Sequence, residues 1–115
     1  MTPAIVNLTL TAGDGYSHEF TFTDGTSVLD VSAYTHRAQI RSKPAAIEAV
    51  DFTIDETSAA TGVVTVSLTA AQTRLLASGV WQWDMERELD GAYPQTVLAG
   101  TLRVTPDITR EAVTP

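Results

Sequence analysis

Short runs of alternating apolar and polar residues, rich in threonine and valine, constrain this chain more than any other feature. β-Branched side chains fit a pleated surface and lose rotamer freedom in a helix. An alternation of period two sets one group of side chains on each face of a strand. The first run, 4–11, places Val6, Leu8 and Leu10 against Ile5, Asn7 and Thr9. In 16–23 the inward set is Tyr16, His18, Phe20 and Phe22, and in 34–42 it is His36, Ala38 and Ile40. Val50, Phe52 and Ile54 form the buried side of a fourth strand, and Val64, Val66 and Leu68 that of a fifth. Trp81, Trp83 and Met85 do the same in 80–89, and Leu98, Leu102 and Val104, beside Gly100, in 97–105.

Turn chemistry separates the runs. Ala12-Gly13-Asp14-Gly15, Asp24-Gly25-Thr26, Lys43-Pro44 and Asp90-Gly91 are breaks or hairpin signals. One helix start stands out: Thr69 followed by Gln72 is a capping box, and the helix should end near Ala77, before Ser78-Gly79. These elements predict an all-β chain, a single seven-stranded antiparallel immunoglobulin-like β-sandwich with one short helical turn near 69–77. The sandwich domain spans 1–105. Residues 106–115 lack a strand pattern and are expected to form a tail, with Ile108 and Arg110 as candidate contacts to a partner.

Composition narrows the chemistry. The chain has no cysteine, which removes disulfides, thiolate metal sites and thiol nucleophiles. Its 115 residues are enough to bury a core without such staples. Fourteen acids against seven bases give a net charge of −7, which repels a phosphate backbone, so nucleic acid is not an expected partner. No apolar run reaches the roughly 18 residues of a membrane span. The start, Met-Thr-Pro-Ala-Ile-Val, has no basic region ahead of an apolar stretch, so a cytoplasmic setting is expected.

In an immunoglobulin-like order the Trp81/Trp83 strand lies between the Arg37/Arg41 strand and the Arg103 strand. Its outward face then carries Asp84, Glu86 and Glu88, with Arg37 and Arg41 on one flank and Arg103 on the other. A solvated cross-strand ladder is the plain reading of this face; a charged docking face for a partner subunit is the functional one. Arg87 breaks the pattern, since strict alternation points it inward, and a bulge or a snorkelling side chain would resolve this.

Other constellations are weaker. Glu86 and Glu88 stand about 7 Å apart on one face, a separation that fits a glycosidase acid pair, but a convex sheet face offers no cleft to raise a pKa. Asp51, Asp55 and Glu56, or Asp14 with Asp24, lack calcium-loop spacing and read as turn residues. His18 and His36 fall on inward faces and are expected as hydrogen-bonded core histidines rather than zinc ligands. Asn7-Leu8-Thr9 matches a glycosylation sequon, which has no meaning without secretion. No catalytic residue, metal or cofactor is expected. Trp81 and Trp83 read as core; if exposed, they and Tyr93 would make a sugar-stacking platform.

Gly13-Asp14 before an aromatic strand, Asp30-Val-Ser-Ala-Tyr34-Thr, Ala38-Gln-Ile-Arg41-Ser-Lys-Pro44, Ala60-Thr-Gly62 through Gln72-Thr, Trp81-Gln-Trp83-Asp84 and Leu98-Ala-Gly100 through Pro106 follow one another in order. Over about residues 12–106 the chain resembles the small immunoglobulin-like β-sandwich domains of tailed-bacteriophage virion proteins, such as the N-terminal domain of baseplate upper proteins. The resemblance implies a non-enzymatic structural component of the virion, in the tail and baseplate or decorating the capsid. Such a component is made in the bacterial cytoplasm and acts through contacts with other virion proteins in a multicopy, symmetric assembly. It implies no membrane, nucleic acid or small-molecule substrate. The alternative is a carbohydrate- or host-surface-binding module of a phage tail.

Overall fold

The computed structural model describes residues 3–42, 49–89 and 93–106. Nine strands occur among them: β1 (Ala4–Ile5), β2 (Leu8–Thr11), β3 (Tyr16–Thr21), β4 (Tyr34–Arg41), β5 (Val50–Asp51), β6 (Thr53–Asp55), β7 (Val63–Leu68), β8 (Gly79–Leu89) and β9 (Gln95–Thr105). One short helix, α1 (Ala70–Arg74), lies between β7 and β8. The chain is all-β, in two sheets. The larger runs β1-β9-β8-β4-β5, with β2 also on β9, and the smaller runs β3-β7-β6.

The expectation of seven antiparallel strands needs correcting in two ways. Two of the alternating runs are each split in two, which raises the number to nine. Within 50–54 the alternation continues without a break, but Val50 pairs with Ile40 of β4, whereas Ile54 pairs with Val66 of β7. The chain changes sheets at Phe52, which is buried and whose N–H donates to the Ala38 carbonyl. The first run is interrupted at Val6-Asn7, and both of its pieces pair with β9 in parallel, so the larger sheet is mixed.

That interruption has a physical cause. The Val6 carbonyl crosses over Gly100, where a Cβ would stand only 2.0 Å from its oxygen. The same oxygen accepts from the Trp83 indole N–H at 2.8 Å. Asn7 Oδ1 replaces a ladder carbonyl, accepting from the Thr101 N–H and hydroxyl at 3.1 Å each. The sequon asparagine is therefore part of the backbone pairing.

Aromatic contacts bring the sheets together. Phe20 of β3 stacks on Trp83 of β8 at 5.6 Å between centroids, and Phe52 meets the same indole edge-on at 6.1 Å. Leu8, Ile40, Val64, Val66, Met85 and Leu102 fill the core around them. The expected capping box is present: Gln72 N–H donates to Thr69 Oγ1 and Thr69 N–H to Gln72 Oε1. The helix ends three residues earlier than Ala77. Thr73, fully buried on it, accepts from Gly13 N–H and donates to the Asp14 carbonyl, which ties the β2–β3 turn to the helix.

His36 is buried, as expected, and its Nδ1–H donates to Glu56 Oε2 at 2.6 Å. Since Glu56 directly follows β6, this bond joins the two sheets. His18 is exposed, contrary to expectation, because β3 is an edge strand and one flank of the ring stays uncovered. Arg87 does point inward. A bulge is present, but on β9: Met85 faces Leu98 and Glu86 faces Thr96, so Val97 is the extra residue and the register with β4 is unbroken. The Arg87 guanidinium lies 4.3 Å over the Tyr34 ring. Lys43-Pro44, Asp90-Gly91 and the tail from 107 lie outside the described residues.

Two outcomes are expected in urea unfolding. Gly100→Ala should lower stability by more than about 2 kcal/mol, because the clash is with backbone that cannot swing away. Glu56→Ala should cost about 1–3 kcal/mol at neutral pH by orphaning a buried imidazole N–H; an unchanged midpoint would refute the bridging role.

Candidate functional site

The outward residues of β4 and β8 form the most distinctive surface of the molecule. Their register is Thr35 to Glu88, Arg37 to Glu86, Gln39 to Asp84 and Arg41 to Gln82. One row therefore carries Arg37 and Arg41, and the adjacent row carries Asp84, Glu86 and Glu88. The predicted order is also found, with β8 between β4 and β9.

The face is not convex, which corrects the sequence expectation. A hollow of about 340 Å³ opens among Arg37, Gln39, Arg41, Asp84, Glu86 and Ala99. Its cause is local. Asp84 faces Ala99, so the long outward side chains of β4 and β8 border a position of β9 that carries only a methyl group. The carboxylates that share the hollow are Asp84 and Glu86. Glu88 is exposed beside Thr35 and does not line it.

Side-chain bonds stiffen the basic row. Gln39 Nε2 donates to Asp51 Oδ1 at 2.6 Å, and Arg41 Nη2 donates to Gln39 Oε1 at 3.1 Å. Asp84 is half-buried. Burial raises its pKa above the ordinary carboxylate value and the neighbouring Glu86 charge adds to this, while Arg41 acts in the opposite direction. Arg37 is exposed and, although directly across from Glu86, forms no ion pair with it.

Arg103 does not join this group. It is exposed across from Val80 and Thr9, four positions along β9 from Ala99. Ile108 and Arg110 lie outside the described residues. Gln39, Gln82, Trp83, Ala99 and Gly100 also line the hollow, and of these only Trp83 is singled out by the sequence. The signal for the two glutamines was their outward parity beside the charged positions.

The remaining candidates resolve into structure. Asp24 Oδ1 accepts from Ser27 and Thr26 N–H groups, Asp30 from the Ser32 hydroxyl and N–H, and Asp55 from the Thr57 N–H and hydroxyl. These bonds hold all three carboxyls below the usual range. Among the described residues no group of three His, Asp or Glu converges as metal ligands would. Trp83 is buried. Trp81 is half-buried with its indole N–H on the Ala77 carbonyl, so Tyr93, at 93% exposure, is the one open ring of the proposed stacking trio. No protein-family model matches the chain, and no curated protein matches it by sequence.

Asp84 ionises less readily in the folded chain than in the unfolded one, so its charge opposes folding. The penalty is absent at low pH and grows as pH rises through the carboxylate range. Asp84→Asn should therefore be more stable than the parent at pH 7, by up to about 1 kcal/mol after solvent screening. The advantage should fade below about pH 4. Thermal melts across pH would reveal it; a loss of stability at pH 7 that persists at pH 3 would contradict the assignment.

Proposed function

We propose that this chain is a non-enzymatic structural component of a tailed-phage virion, an immunoglobulin-like β-sandwich that docks on neighbouring virion proteins through the outer face of its larger sheet. Strand order supports the fold reading. In immunoglobulin sandwiches the third, sixth and seventh strands form one sheet, opposite the second, fifth and fourth. Here β4, β8 and β9 correspond to the first group and β3, β7 and β6 to the second. The chain departs from that plan by laying its first strand beside the last.

The observation that carries the docking reading is the hollow with its opposed rows. Acids and arginines line a concave sheet face, and the central pair, Arg37 and Glu86, is not spent on an internal ion pair. Potentials patterned in this way set register and reject wrong partners more than they add raw affinity. The virion setting rests on the ordered resemblance of residues 12–106 to phage sandwich domains.

Mass spectrometry of purified particles, with capsids and tails separated, tests the proposal. The chain should appear in one fraction at a fixed multiple of that structure's symmetry. Particles assembled with Arg37→Glu should lose most of it. Absence of the chain from washed, infectious particles would overturn the proposal.

A further inference from the structure

We infer that the outer face of the larger sheet pairs with the same face of a second copy of this chain, about a two-fold axis running parallel to the strands midway between β4 and β8. The inference rests on the reading of this face as a docking surface and names its occupant. Its ground is the cross-strand register. Two sheets can meet face to face symmetrically only about an axis lying in the plane between them, and such an interface uses one patch twice. An axis along the strands exchanges the β4 row with the β8 row and leaves every residue at the same height.

Each outward residue then meets the second copy's version of its own cross-strand neighbour. Arg37 stands over Glu86 of the second copy, Gln39 over Asp84, and Arg41 over Gln82, with the reciprocal contacts repeated across the axis. Every arginine of the row faces a carboxylate or an amide, and no like charges are opposed. A surface that carried one sign of charge, or like charges on cross-strand neighbours, would not match itself under this operation. Packed sheets lie about 10 Å apart, a gap that long arginine side chains span from both sides. The hollow over Ala99 and Gly100 gives the incoming guanidinium room beside Asp84 and Glu86. Burial, and after it the Glu86 charge, raises the pKa of Asp84, and an arginine of the second copy placed over Glu86 offsets the second of these causes.

This interface contains little apolar surface, so charge holds it and salt weakens it. Sedimentation equilibrium of the full chain, from about 10 µM to 1 mM at low ionic strength, should show a monomer–dimer equilibrium. Raising salt from about 0.05 to 0.5 M should loosen it about tenfold. Arg37→Glu and Glu86→Arg should each weaken self-association at least tenfold. An equimolar mixture of these two variants should associate nearly as well as the parent, because every introduced charge then meets its opposite. Circular dichroism checks that each variant is folded, and the salt series tests the parent without any substitution. A parent that stays monomeric up to 1 mM, association that strengthens with salt, or a mixture no better than its components would overturn the inference. If the parent is monomeric while Arg37→Glu is still lost from particles, the docking face stands and its occupant is a different virion protein.

Discussion

The fold depends on what converges on Trp83. Its ring takes Phe20 and Phe52 from the side of the smaller sheet, and its indole N–H binds the carbonyl of Val6, in the break between the first two strands. One side chain therefore contacts the opposing sheet, the strand switch and the N-terminal segment together. The arrangement needs an empty position across the ladder, and Gly100 provides it. Any larger residue there would push Val6 away, separate the indole from its acceptor and lift the first strand off β9. A buried tryptophan needs a partner for its N–H, and here that need fixes the path of the chain's start.

Much of this was legible in sequence, because parity is a local property. The inward and outward sets of β4, β7 and β8 follow from alternation alone, and Thr69 with Gln72 announces the helix. Which strands lie side by side is a non-local question, and that is where sequence reasoning went astray. Val50, Phe52 and Ile54 alternate without interruption, so nothing marks the passage from one sheet to the other. Arg103 has the right parity to flank the acids, but the register places it four residues away, beside Val80. The hollow was invisible for a related reason. It exists because a small residue of β9, Ala99, falls opposite Asp84, an alignment set by pairing rather than by any motif. His18 shows the limit from the other direction, since correct parity at a sheet edge does not guarantee cover.

Four of the fourteen acids fall into two groups with opposite electrostatic character. Asp24 and Asp30 in loops, and Asp55 at the end of β6, accept hydrogen bonds in their charged form, so ionisation suits the folded state. Asp84 is half-buried beside another carboxylate, and ionisation works against folding there. Stability is thus drawn from the loops while unfavourable charge is concentrated on one sheet face.

The margins of the sheets also matter. An exposed, regular strand edge invites other chains to add to it and grow into fibres. Among the described residues of the larger sheet one margin is broken at Val6-Asn7 and the other is the two-residue β5, so neither offers a long uninterrupted template. In the smaller sheet β6 is three residues long, and β3, the longest open margin, presents Glu19 to solvent. Margins of this kind resist open-ended stacking through strand edges and leave the sheet faces to make contacts of defined number.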